Sequence, residues 1–107
     1  MSETFEQVLR LVQWEEVRIS DHGYDELASE SLYARDAIAS VGDGVVVEDY
    51  PDYPKGPCVL VLQKDQQGEP IHVVWGIPKG KSSPAVLVTA YRPDAVRWEA
   101  DFLRRRK

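Results

Sequence analysis

The chain has 107 residues, a formal net charge of −5 and 43% hydrophobic residues, which suits one globular domain over residues 1–107 and excludes disorder. No apolar stretch approaches the roughly 20 residues that cross a bilayer, the N-terminus lacks the basic-then-apolar order of a signal peptide, and a single cysteine, Cys58, excludes an intrachain disulfide. A cytoplasmic protein without membrane contact is expected.

The first helix is expected over residues 4–13, where Phe5, Val8, Leu9 and Val12 recur at helical spacing and Thr4 and Gln7 stand at the separation of a capping box. Val17-Arg18-Ile19 is a short extended piece. Ser20 or Asp21 can cap a second helix running to about Glu30, with Tyr24, Leu27 and Ala28 inward. Ser31 can cap a third, in which Ala34, Ala37, Ile38 and Val41 repeat before a C-terminal Gly42. The period then changes to two. β-Branched and apolar runs at residues 45–50, 58–65, 71–77 and 85–91, separated by Gly/Pro-rich turns, predict four antiparallel strands in a meander. Cys58 to Leu62 is apolar on both faces, which places it centrally in the sheet and makes Cys58 a buried, inert thiol. Pro93 suits the first turn of a last helix carrying Ala95, Trp98 and Phe102 on one face. The expected class is therefore α+β: N-terminal helices, a four-stranded antiparallel sheet and a C-terminal helix.

The charge is uneven. Residues 1–78 hold 5 basic and 15 acidic side chains, a net −10, whereas residues 79–107 hold 8 basic and 3 acidic, a net +5. A basic C-terminal third can attract phosphates even on an acidic protein, although the tail arginines also suit a solvated helix end.

His22 and His72 are the two histidines, and histidine is the side chain best placed to move protons near neutral pH. By strand alternation His72 shares a face with Val74 and Gly76, opposite the apolar Ile71, Val73, Trp75 and Ile77. The fourth strand ends in Tyr91-Arg92, natural partners for a phosphate, and the loop before it carries Lys79 and Lys81. No paired cysteines, no His-Glu-x-x-His and no phosphate-binding glycine loop occur, so neither a metal nor a cofactor is expected.

Several segments carry a resemblance: Asp21-His22-Gly23, Val47-Glu48-Asp49-Tyr50-Pro51, Gly56-Pro57-Cys58-Val59-Leu60, Pro70-Ile71-His72-Val73-Val74-Trp75-Gly76 and Val88-Thr89-Ala90-Tyr91-Arg92-Pro93. Together they resemble a bacterial domain-of-unknown-function family, DUF4258, which is similar to the small ribonuclease toxins of the barnase, EndoU, colicin and RelE group and most of all to the MqsR kind. The resemblance implies helices packed on a curved antiparallel sheet, metal-independent RNA cleavage by 2′-hydroxyl attack, mRNA as substrate and a cognate antitoxin, in many cases with a zinc finger. It touches His22, His72, Tyr91 and Arg92 as catalytic candidates. His72 and His22 would serve as base and acid, Arg92 as the charge clamp and Tyr91 as an acid or a stacking ring, with Lys79, Lys81 and Arg97 holding the RNA backbone. Many relatives carry an arginine four residues after the first histidine, and Glu26 stands there in this chain. The alternative is a non-catalytic protein- or nucleic-acid-binding module of the same fold, with a homodimer through an exposed strand edge allowed.

Overall fold

The computed structural model describes residues 2–107. Helix α1 spans Glu3–Gln13 and buries Thr4, Val8 and Leu11. Its cap is Ser2 rather than the expected Thr4: the Ser2 hydroxyl accepts the Phe5 amide at 3.0 Å, and Gln7 reaches out to the Ser82 carbonyl instead of back to the helix start. Strand β1, Val17–Ile19, is followed by α2, Asp21–Ser29, and α3, Ala34–Ser40. Ser31 does not cap α3. It ends α2 in the left-handed conformation, φ 55°, with the Ser31 amide on the Ala28 carbonyl and the Leu32 amide on the Leu27 carbonyl, the hydrogen-bond pattern of a Schellman closure. Gly42 falls inside a single 3-10 turn, Val41–Asp43, and Gly44 closes it.

Strands β2 (Val45–Tyr50), β3 (Cys58–Lys64), β4 (Pro70–Gly76) and β5 (Ala85–Tyr91) form the expected antiparallel meander. The sheet nevertheless has five strands, in the order β1-β5-β4-β3-β2, because β1 pairs with β5 in parallel. The class is α+β with three helices and a mixed sheet, not four antiparallel strands alone. The predicted C-terminal helix is absent. Residues 93–107 instead fold back on themselves through a Trp98–Arg105 bridge and two 2.8 Å bonds, Glu99 amide to Arg104 carbonyl and Arg106 amide to Arg97 carbonyl. Burial of Trp98 and the tertiary partner of Arg105 outweigh the helical periodicity of this stretch.

One face of the sheet packs on the helices. Val59, Val61, Val73, Trp75, Leu87 and Ala90 meet Val8, Leu11, Leu27 and Ala37 there. Gln63 is the one side chain of β3 that breaks the apolar pattern of this face. It is buried, accepts from the Trp75 indole at 2.8 Å and donates to the Ala37 carbonyl and Ser40 hydroxyl, so its amide is satisfied on both sides.

The start of α2 is sewn to β5. The Ser20 amide donates to the Leu87 carbonyl, the Ser20 hydroxyl donates to the Val88 carbonyl at 3.0 Å, and the same oxygen accepts the Gly23 amide at 2.9 Å. A Cβ on Gly23 would lie 2.6 Å from the Leu87 carbonyl oxygen. Gly23→Ala is therefore expected to destabilise the fold by about 1–3 kcal/mol, the usual range for overpacking, read from the urea midpoint.

Candidate functional site

The opposite face of the sheet is built in rows. At one end Tyr50 lies beside Cys58, Cys58 beside Gly76, Gly76 beside Val86, and Val86 beside Arg18, a single row across all five strands. These five residues floor an open groove of about 600 Å³. Its remaining walls include His22 at the start of α2, Tyr53 and Lys55 from the β2–β3 loop, and Pro78 from the β4–β5 loop. Those two loops are joined by backbone bonds, Ile77 amide to Pro57 carbonyl and Lys79 amide to Lys55 carbonyl. Gly56 makes this possible: its φ is +124°, and a Cβ there would fall 2.1 Å from the Ile77 carbonyl oxygen.

Gly76 gives the groove its depth. Its backbone is not left-handed, and a Cβ there would meet only ordinary contacts, 3.4–3.5 Å from Val88, Cys58 and Pro57. Cys58 is half-buried rather than buried as expected, because the helices cover only the other face of its strand. Burial, helped by Asp49, pushes its thiol above the ordinary value. Native labelling by a thiol reagent is thus expected to proceed without unfolding, more slowly than in urea, and to speed up as pH rises.

His22 has a side chain 65% exposed, with Nε2 3.5 Å from the Glu26 carboxylate. Glu26 thus stands beside the groove imidazole.

His72 shares the groove's sheet face but not the groove. It is completely buried four residues along β4 from Gly76, a distance of about 13 Å at strand spacing. Its Nε2 lies 2.8 Å from the Phe102 carbonyl and its Nδ1 3.2 Å from the Tyr91 hydroxyl. A carbonyl only accepts, so Nε2 carries the proton and the neutral ring accepts the Tyr91 O–H at Nδ1. The ring packs edge-on to Trp98, centroids 4.5 Å apart, and to Tyr91 at 5.3 Å. Burial holds His72 below the ordinary histidine value, against the opposing pull of the Phe102 carbonyl and Glu48. Burial also raises Tyr91. Beside them Arg105 forms a bidentate pair with Glu48 at 2.8 and 3.0 Å and lies over the Trp98 ring. The Arg105 hydrogen bonds keep the Glu48 carboxyl below its ordinary value.

Arg92 points away from Tyr91. Its guanidinium binds the Asp65 carboxylate at 2.9 Å, and its amide donates to Glu30. Lys79 and Lys81 are exposed on the loop that forms the groove wall, and Arg97 is exposed on the C-terminal segment. His22 therefore lines the groove, Lys79 and Lys81 follow Pro78 on the adjoining loop without lining it, His72 and Tyr91 meet in a buried cluster, and Arg92 belongs to neither. Arg18, Lys55, Tyr50 and Tyr53 are groove residues that the sequence analysis did not single out. The paired tyrosines of Asp49-Tyr50-Pro51-Asp52-Tyr53, exposed in a Pro-rich turn, were the available signal. Among the described residues no cluster of three metal-ligating side chains occurs, and no helix is long and apolar enough to cross a membrane.

The family described as "Domain of unknown function (DUF4258)" matches residues 19–92. The chain belongs to this family. The DUF4258 match begins at the last residue of β1 and ends just after β5, so it takes in His22, the central strands and most of the groove floor, and leaves Arg18, α1 and residues 93–107 outside. Neither the curated proteins nor the solved structures gave a match.

Proposed function

We propose that this DUF4258 protein binds single-stranded RNA across the groove and cleaves it without a metal, as the toxin of a toxin–antitoxin pair. The observation that carries the proposal is the groove row, with Arg18 at one end, Tyr50 at the other, and His22, Lys55 and Tyr53 on the walls. Phosphates suit Arg18 and Lys55, and unstacked bases suit tyrosine rings. His22 takes the proton of the ribose 2′-hydroxyl, the two cations stabilise the charge gathering on the phosphorus centre, and the imidazolium so formed protonates the departing 5′-oxygen. A cognate antitoxin with a zinc finger would silence the protein by covering this groove, and the compartment is the cytoplasm.

The test is the binding of a fluorescent single-stranded RNA, followed by anisotropy, together with its cleavage. Arg18→Ala and Lys55→Ala are each expected to weaken binding and to lower the slope of log affinity against log salt by about 0.7. Gly76→Val fills the groove without straining the strand and is expected to abolish binding while the folded circular dichroism spectrum is kept. A substrate with 2′-deoxyribose at the cut site should bind and remain whole. The full burial of His72 favours a second reading, a non-catalytic RNA-binding module, because it leaves one imidazole at the groove. Binding without cleavage of any RNA would select that reading. Unchanged binding in Gly76→Val would overturn both.

A further inference from the structure

The groove row is not the end of its sheet face. Two further rows follow toward the other end: Glu48, Leu60, Val74 and Thr89, then Val45, Leu62, His72 and Tyr91. These rows continue the groove, and residues 93–107 bear on them through Trp98, Phe102 and Arg105. The way this segment is attached is unusual. Among the described residues its backbone bonds are internal: Arg97 and Trp98 amides to the Asp94 carbonyl, Glu99 to Arg104, Phe102 to Glu99 and Arg106 to Arg97. Its side-chain bonds from Arg106 to Ala95 and Glu99 are internal too. What ties it to the sheet is the Arg105–Glu48 pair, the bond between His72 and the Phe102 carbonyl, and the packing of Trp98 on the His72 ring. The segment begins immediately after the residues matched by the family.

We propose that residues 93–107 are a strap that hinges as one unit at Pro93 and covers a second half of the RNA-binding face, in which His72, Tyr91 and Glu48 are the polar groups. This rests on the RNA reading above. With the strap lifted, the groove lengthens by about 13 Å along β4 and gains a second imidazole on the sheet face that His22 borders. A unit that keeps its own hydrogen bonds loses few on leaving, so opening breaks one ion pair, one carbonyl contact and one aromatic packing and exposes the buried Trp98, and breaks no ladder.

Amide hydrogen exchange on the full chain tests this. The strap amides of Trp98, Glu99, Phe102 and Arg106 are expected to exchange together and faster than those of β4 and β5. Arg105→Ala should speed the strap about tenfold, the combined worth of an exposed ion pair and a cation–π contact, and leave β4 and β5 unchanged. Added single-stranded RNA should slow the amides of Lys55, Gly56, Cys58, Gly76 and Ile77 and speed the strap. Strap exchange only through global unfolding, in both proteins, would overturn the strap. RNA that protects the groove but leaves strap exchange unchanged would overturn the strap as a gate while the RNA reading stands. RNA that alters no amide in either protein would remove the RNA reading itself, and the gate with it, and is distinguished by the unchanged groove amides.

Discussion

His22→Ala is expected to lower RNA cleavage by about 10²–10⁴-fold, the usual cost of losing a general acid–base group, with RNA affinity and thermal midpoint nearly unchanged. The His22 side chain is mostly exposed and its one partner among the described residues, Glu26, is a surface neighbour at 3.5 Å. Exposed pairs of this kind contribute about 0–1 kcal/mol, so little stability is at stake. On the proposed reading RNA affinity would rest on Arg18, Lys55 and the tyrosines, which the substitution leaves in place. A His22→Ala protein that cleaves at the full rate would show that another group moves the proton.

The second histidine behaves in the opposite way. His72→Ala is expected to cost about 1–3 kcal/mol for each buried partner left unsatisfied, the Phe102 carbonyl and the Tyr91 hydroxyl, and to open a cavity under Trp98. The loss is read from urea unfolding. The pH dependence has a definite sign. Burial keeps the folded-state value of His72 below the unfolded one, so the neutral ring is the one that suits the fold. The stability it confers is complete above the unfolded value of about 6.5 and is lost as pH falls through the lower folded value. The groups facing His72 are Tyr91 on β5, Glu48 on β2 and Arg105 on the strap. Of these, Tyr91 and Arg105 do not titrate in that window and Glu48 is held ionised through it by Arg105. His72→Gln should therefore flatten the decline in unfolding free energy between pH 7 and pH 5. A decline unchanged in His72→Gln would place the titrating group elsewhere.

The meander was legible in the sequence because each of its strands carries its own evidence: β-branched runs, alternation, and Gly/Pro turns whose chemistry is local. The identity of the core face was legible for the same reason, from Ile71, Val73 and Trp75. What lay outside the sequence were contacts between distant segments. Three residues, Val17 to Ile19, cannot announce a parallel partner that is reached only through three intervening strands. The groove row depends on that pairing, so Arg18 could not be assigned to it. His72 was correctly set on the face away from the core, but alternation gives direction and not coverage. Its burial comes from a segment read as a helix because Ala95, Trp98 and Phe102 have helical spacing, whereas the His72 ring and Glu48 supply partners that a helix would not meet. Cys58 failed similarly: an apolar strand suggested burial, and only the absence of a helix over that end of the sheet leaves the thiol accessible.

The parallel pairing of β1 with β5 has a consequence for how the groove comes into being. Val17 meets Ala85, 68 positions later, so this contact closes the longest loop in the sheet. Hairpins between neighbouring strands close short loops and form early, while contacts between remote segments come late. On the ribosome Arg18 emerges 68 residues before its row neighbour Val86 and must wait for it. The cationic end of the groove is thus assembled only once β5 has been made, and a nascent or truncated polypeptide lacking β5 holds His22 and Arg18 without the surface on which they would act.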